Sequence, residues 1–335
     1  MIISRTPFRI SFFGGGTDYP VWYKENSGAV LATTINKYCY LTCRYLPPFF
    51  KHKSRIIWSE IEYVNDISEI RHPSARECLR FMDIKNGIEV HHDGDLPART
   101  GMGSSSAFTV GLLHALYALK GIMPTKRQLA LDAIRLEQEV MKENVGSQDQ
   151  AQAAFGGFNL IEFGGKEHIR VRPITIDPQR LGLFQSHLML FFTGFSRTAS
   201  EIAAEQIRKT PYKKKELKIM HGFVNNAIDI LNSNNDLLEF GKLLHENWKI
   251  KRSISDKIST SAIDDIYKSA LRAGATGGKL LGAGGGGFML IYAKPEIQQK
   301  IRKKLNKLLY VPFRFESLGS QIIFYSPNDS LTGHV

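Results

Sequence analysis

Runs of β-branched and aromatic residues dominate the first ninety positions of the chain. FRISFF (residues 8–13), AVLATTINKYCYLTCRYL (29–46) and SRIIWSEIEYV (54–64) read as strands, with Pro47-Pro48 as a break between the last two. SARECLRFMDI then reads as a helix, GIEVHHDGD as a strand, residues 104–119 as a second helix and residues 125–142 as a third. GGFNLIEFG and HLMLFFTGF read as buried strands on either side of a stretch around Pro173 and Pro178. After Thr198 the apolar spacing becomes helical, predicting three or four amphipathic helices out to Leu271. A strand at 287–293, a basic helix at 295–309 and the strand QIIFY close the chain, with no internal repeat. Strands first, helices in the middle and strands again predict an α+β protein in two layers, divided near residue 180 into 1–180 and 181–335.

The periodicity of residues 125–142 singles out one acid. Leu129, Ala130, Ala133, Ile134, Leu136, Val140 and Met141 mark an apolar face, and Gln128, Asp132, Arg135, Glu139 and Lys142 a polar one. Glu137 falls on the apolar face, whereas Glu139 points to solvent. A carboxylate so placed must be paired, protonated or bound to a metal, because an isolated buried charge is very costly; a structural salt bridge is the competing reading.

Composition sets the bounds. With 335 residues, 43% of them hydrophobic, the chain can bury a full core in one large or two moderate domains. The 44 Lys and Arg against 32 Asp and Glu give a net charge of +12, which favours anionic ligands. Lys213–Lys215 and Arg302–Lys304 lie on helix-like segments without aromatic interleaving, so no nucleic-acid partner is expected. Cys39, Cys43 and Cys78 cannot all pair and have no C-x-x-C spacing, which fits a reducing cytoplasm. MIISRTPFRIS lacks the apolar core of a leader, and no apolar run approaches the ~18 residues of a membrane span. Neither export nor membrane insertion is expected.

The densest chemistry lies in DGDLPARTGMGSSSAFTVGLLHAL, residues 93–116. A turn holding Gly101, Met102 and Gly103 runs into Ser104, Ser105 and Ser106 and then a small-residue helix, so free N–H groups and a helix N-terminus converge on one point. The expected guest is a phosphate carrying Mg²⁺; Ser104 as a simple N-cap is the bland alternative. No Gly-Lys-Ser or Gly-Lys-Thr follows, so the turn is not a Walker A loop. Two further glycine-rich segments flank it in sequence: TPFRISFFGGGTDYP (6–20) and KLLGAGGGGFMLIY (279–292).

In order and spacing, these three segments resemble the motifs of the GHMP kinases over nearly the whole chain. The resemblance implies the GHMP kinase fold: a two-layer N-terminal domain like domain 2 of ribosomal protein S5, then a ferredoxin-like C-terminal domain. It also implies ATP and Mg²⁺, a small-molecule sugar substrate, and room for a homodimer. GGGTDYP, VGSQDQAQAAFGGFN (145–159), FTGFSRTASEIAAEQ (192–206) and LLHENWKIKRSISDKIS (243–259) are similar to the bacterial D-glycero-D-manno-heptose 7-phosphate kinases, which act on an anomeric hydroxyl. Kinases for fucose-like or galactose-like sugars, and a catalytically silent sugar and ATP sensor, are the alternatives.

Residue roles follow from the same resemblance. Residues Gly101 to Ser106 take the nucleotide phosphates, with Ser105 on the metal. Glu137, twelve residues before Asp149, is the second metal ligand, and Asp149 is the catalytic base with Arg9 as its cation. Asp18 takes sugar hydroxyls, with Gly15, Gly16 and Thr17 around it. Gly14, Gly15 and Gly16 stand where galactokinase-like members carry Gly-Glu-His, which removes two polar side chains and leaves room for a larger sugar. Gly285 and Gly286 close the site over the substrate. Arg197 and the cluster Lys249, Lys251 and Arg252 are candidates to cradle a second phosphate, against the alternative of solvated surface charge.

Overall fold

The computed structural model describes residues 1–164, 169–194 and 199–327. Its first sheet is built on the long strand β2 (Gly28–Tyr45), which follows β1 (Ile2–Phe13) and pairs with it antiparallel. The sheet continues with β3 (Ser54–Ile57), β4 (Ile61–Val64), β5 (Ile88–Gly94), β6 (Phe158–Phe163) and β7 (Ile169–Pro173). Along β2 the first eight residues are all buried, as the run of β-branched and apolar side chains requires.

Helices α1 (Pro20–Tyr23), α2 (Pro73–Phe81), α3 (Ser104–Leu119), α4 (Lys126–Arg135) and α5 (Gln148–Phe155) belong to this unit. Of these, α3 is apolar nearly all round and is buried accordingly, with Ala107, Val110, Leu112, Leu113, Ala115 and Leu116 inaccessible. Gly111 brings it against β1, because a Cβ there would lie 2.8 Å from Thr6 Oγ1. Its carbonyl accepts the Ser4 hydroxyl at 2.8 Å.

The chain continues through α6 (Pro178–Ser186), β8 (Leu188–Gly194), α7 (Ala199–Lys209), α8 (Lys214–Asn232), α9 (Leu238–Ile254) and α10 (Ser261–Arg272). It ends with β9 (Gly277–Leu280), β10 (Gly287–Tyr292), α11 (Pro295–Lys304), β11 (Leu309–Tyr310), β12 (Phe315–Glu316) and β13 (Gln321–Tyr325). The second sheet is antiparallel in the order β11-β8-β10-β9. With helices between β8 and β9 and between β10 and β11, that is the ferredoxin-like arrangement. A separate apolar cluster including Met189, Phe191, Trp248, Tyr267, Leu280 and Ile291 fills it.

Several expectations need correction. The division at residue 180 is too simple, since β12 returns to pair with β2 and β13 with β1 in the first sheet. Residues 54–64 form a hairpin of two strands rather than one. The helix at 125–142 is regular only to Arg135; Leu136–Val140 is a π turn, which rotates the face and leaves Val140 47% exposed. Asp132 is buried rather than solvated, because Tyr117 Oη (2.6 Å) and Gln128 Nε2 (2.8 Å) satisfy it. All three cysteines are free and buried. No helix among the described residues is long and apolar enough to cross a membrane.

Candidate active site

The head of α3, the head of α5 and the end of β1 meet at one place. Irregular pairing between β1 and β2 around Arg9 frees its N–H to bond the Met102 carbonyl at 3.1 Å. Its guanidinium, almost fully buried, grips Asp149 with two parallel bonds, Nε to Oδ1 and Nη2 to Oδ2, each 2.7 Å. The remaining nitrogen, Nη1, donates to the Gly101 carbonyl at 2.7 Å. A Cβ on Gly103 would lie 3.3 Å from Arg9 Cγ and 3.4 Å from the Asp149 carboxyl. The catalytic pair expected from sequence therefore abuts the serine turn.

That turn is left-handed at Gly101 (φ +79°) and Gly103 (φ +74°), and Gly103 is the N-cap of α3. The first bond into the helix runs from Ala107 N–H to the Gly103 carbonyl at 2.9 Å, so the N–H groups of Ser104, Ser105 and Ser106 are the free donors of a helix N-terminus. Met102 contributes main chain only, its side chain being buried. Ser104 is not the cap; its Oγ accepts the Arg99 N–H at 3.2 Å. Ser105 is exposed, whereas Ser106 is buried and donates to Glu137 Oε2 at 2.8 Å.

Glu137 is fully buried, as the apolar spacing predicted. Gln150 Nε2 also donates to Oε2, and Oε1 has no partner among the described residues. Burial pushes this carboxyl up to about 7, with nearby Glu143 adding to the rise against the hydrogen bonds it accepts. No cluster of three or more His, Cys, Asp or Glu able to hold a metal occurs among the described residues.

On the other side of Asp149 lies Asp18, 2% exposed. Gly16 N–H donates to its Oδ1 and Gln148 Nε2 to its Oδ2, each at 2.9 Å. Burial raises its pKa, and the neighbouring Asp149 charge acts in the same direction. Gly146 leaves room for this carboxylate, since a Cβ there would fall 1.9 Å from Oδ2. Gln148 was not singled out from sequence, although it directly precedes Asp149.

Other assignments move. Thr17 is structural: its hydroxyl donates to the carbonyls of Gly14 (2.7 Å) and Ala29 (3.0 Å) and accepts the Ala29 N–H (3.1 Å), pinning the glycine turn to β2. Gly285 N–H bonds the Ile258 carbonyl at 3.0 Å, tying its loop to the segment after α9. What this loop touches in the site is the serine turn. A Cβ on Gly282 would be 2.3 Å from Gly101 Cα, and one on Gly287 would be 2.3 Å from the Thr100 carbonyl oxygen. Gly286 is buried beside them.

Neither Lys249 nor Arg252 is free to form a cradle. Lys249 pairs with Glu246 at the surface (3.1 Å), and Arg252 with Asp264 of α10 (2.8 Å). Lys251 lies on the buried face of α9 with Leu244 and Trp248 and donates to the Gly282 carbonyl at 2.5 Å. Burial pushes its pKa down to about 8; the Arg9 charge pushes the same way and Asp18 opposes. Lys279, which was not singled out from sequence, spans the Ser11 and Phe12 carbonyls at 2.9 Å, with its pKa depressed by burial and by Lys251 and Arg9. The α9 spacing Phe240, Leu244, Trp248 was the signal that could have picked Lys251 from its neighbours. Arg197 lies outside the described residues.

Comparison with known proteins agrees with this layout. Residues 71–157 match the model of the GHMP kinases N terminal domain, and residues 223–311 that of the GHMP kinases C terminal domain. A D-glycero-alpha-D-manno-heptose 7-phosphate kinase of Campylobacter jejuni is 29% identical over 91% of this chain and 93% of its own. A mevalonate kinase of Pyrococcus furiosus is 30% identical over 68% of this chain and 67% of its own. Among solved structures, a D-glycero-D-manno-heptose 1-phosphate kinase from Bacteroides thetaiotaomicron superposes with a TM-score of 0.72 at 23% identity, covering 97% of this chain and 100% of that one.

Proposed function

Because the chain belongs to the GHMP kinases and is an ATP-dependent sugar kinase, we propose that it phosphorylates the anomeric hydroxyl of D-glycero-D-manno-heptose 7-phosphate. The product is the 1,7-bisphosphate, an intermediate toward nucleotide-activated heptose for surface polysaccharide. The observation that carries the reaction is the Asp149–Arg9 clasp pressed against the head of α3. The choice of sugar is supported by similarity along nearly the full length of both chains to the Campylobacter jejuni enzyme named for that substrate.

In this reading the nucleotide phosphates lie on the free N–H groups of Ser104, Ser105 and Ser106, where the dipole of α3 favours negative charge. Asp149 takes the proton of the anomeric hydroxyl as the sugar oxygen bonds to the γ-phosphorus. The bond from that phosphorus to its bridging oxygen breaks, leaving ADP. Arg9 holds Asp149 in aim through its two parallel bonds, and each carboxylate oxygen retains a lone pair for the substrate. Asp18 accepts hydrogen bonds from neighbouring hydroxyls. Lys251 takes over from Lys249 and Arg252 as the cation for the substrate's own phosphate.

Glu137 and Ser105 would hold a magnesium ion: Glu137 is a buried carboxyl whose Oε1 lacks a hydrogen-bond partner among the described residues, and its other oxygen is bonded by Ser106, the immediate neighbour of the exposed Ser105. When bound, Mg²⁺ neutralises phosphate charge. The soluble protein of the cytoplasm, with sugar phosphate and ATP as its partners, completes the reading.

Phosphorus NMR after incubation with ATP, Mg²⁺ and a panel of sugars and sugar phosphates tests it. A glycosyl phosphate signal is expected with the heptose 7-phosphate, and Asp149→Asn should remove it while ATP still binds. A signal with fucose or galactose and none with the heptose phosphate would overturn the substrate assignment.

A further inference from the structure

The three consecutive glycines after Phe13 are not equivalent. Gly14 sits at φ +81°, where a Cβ would fall 1.8 Å from the Ala29 carbonyl oxygen, and Gly16 sits at φ +103°. Backbone geometry alone excludes a side chain at both. Gly15 is under neither constraint. Its φ is outside the left-handed region, and a Cβ built on it would meet nothing closer than Gln148 Nε2 at 3.9 Å and Ser11 Oγ at 4.0 Å. Glycine at this position is therefore required by neither turn nor packing, and what it leaves is space.

That space has polar walls with unused capacity. Ser11 is 6% exposed, and its hydroxyl has no partner among the described residues. Gln148 Oε1 is likewise buried and unpartnered, while its Nε2 donates to Asp18 Oδ2 at 2.9 Å. A carboxylate only accepts, so this contact fixes the amide with its nitrogen on Asp18 and its oxygen turned elsewhere. Buried donors and acceptors are satisfied as a rule, so the orphaned Ser11 hydroxyl at the gap, together with the orphaned oxygen of the amide whose nitrogen lines it, points to a ligand that satisfies both.

We propose that Ser11, Gly15 and Gln148 form the subsite that reads one hydroxyl of the sugar. The hydroxyl donates to Gln148 Oε1 and accepts from Ser11 Oγ, and the sugar carbons occupy the volume a side chain at position 15 would fill. Because Gln148 shares Asp18 and immediately precedes Asp149, the hydroxyl read is one close to the hydroxyl that is phosphorylated. The inference rests on the sugar-facing role of Asp18 and Asp149.

Steady-state kinetics on Gly15→Ala and Ser11→Ala test it, with thermal melting as the check on folding. Gly15→Ala adds a methyl group that the fold accommodates, so it should melt with the wild type. Its KM for the sugar should rise about tenfold or more while its KM for ATP stays put. Ser11→Ala should lose kcat/KM for the sugar yet treat the deoxy analogue lacking the read hydroxyl as the wild type does. Sugar KM within about twofold of wild type in both folded variants overturns the subsite and leaves the kinase reading intact. A wild-type protein that phosphorylates no sugar overturns the reading itself, and the subsite with it.

Discussion

Glu89 and Glu137 are both carboxylates sealed inside the first unit, 4% and 0% exposed, in opposite electrostatic surroundings. On β5, Glu89 receives Arg44 Nε and His91 Nε2, each at 2.7 Å, together with Arg55 Nη2. Burial alone would raise its pKa, but the His91, Arg55 and Arg44 bonds prevail and hold the carboxyl down at about 2. Glu137 is met by neutral side chains, Ser106 and Gln150 on one oxygen with Thr109 also close by, and burial carries it up to about 7. A carboxylate that holds the fold together brings its cations with it. One built without them, bonded to the head of α3 through Ser106, is the carboxylate that the proposed function assigns to magnesium.

Substitution at the two positions should separate these roles. Glu137→Gln should cost at least about a hundredfold in kcat while thermal melting is unchanged or raised, because an uncompensated carboxyl is replaced by its neutral isostere. A variant that melts early and keeps its turnover would break the comparison. Glu89→Ala should destabilise by about 3 kcal/mol at most in urea unfolding, since the cations it abandons can reach solvent, with kcat per folded molecule intact.

The acid limb of stability offers a further check. A carboxyl with an ordinary value of 4.5 and a native value of about 2 contributes fully above pH 4.5. That contribution, about 3 kcal/mol, should fade as pH falls from about 4.5 to about 2, and Glu89→Ala should flatten this limb. The smallest effect is expected at Lys249→Ala. Its exposed pair with Glu246 should be worth under about 0.5 kcal/mol, and substrate KM should not move, in contrast to Lys251 two residues on.

Much of the site was legible because its chemistry is local. Glycines, three serines and a small-residue helix in direct succession specify the turn that opens α3, and apolar spacing alone placed Glu137 inside, even though the helix passes through a π turn to put it there. Asp149 and Arg9 are 140 positions apart, so their clasp could only be expected from resemblance. Charge runs misled. Lys249 and Arg252 read as well as Lys251, and only their ion partners, one on α9 itself and one on α10, set them aside. Thr17 looked like a ligand because its role, bonding the main chain of β2, leaves no trace in sequence. The return of β12 and β13 to the first sheet was hidden for a related reason: short strands whose partners lie at the far end of the sequence carry no local pairing signal.

The contact between the two glycine turns has a mechanical meaning. Thr100 and Gly101 on one unit meet Gly282 and Gly287 on the other, main chain against main chain, with no room for a Cβ. Nothing at that seam can swing aside as a rotamer would. The separation of the serine turn from the loop between β9 and β10 is therefore set by the peptide units themselves and not by any side chain packed between them.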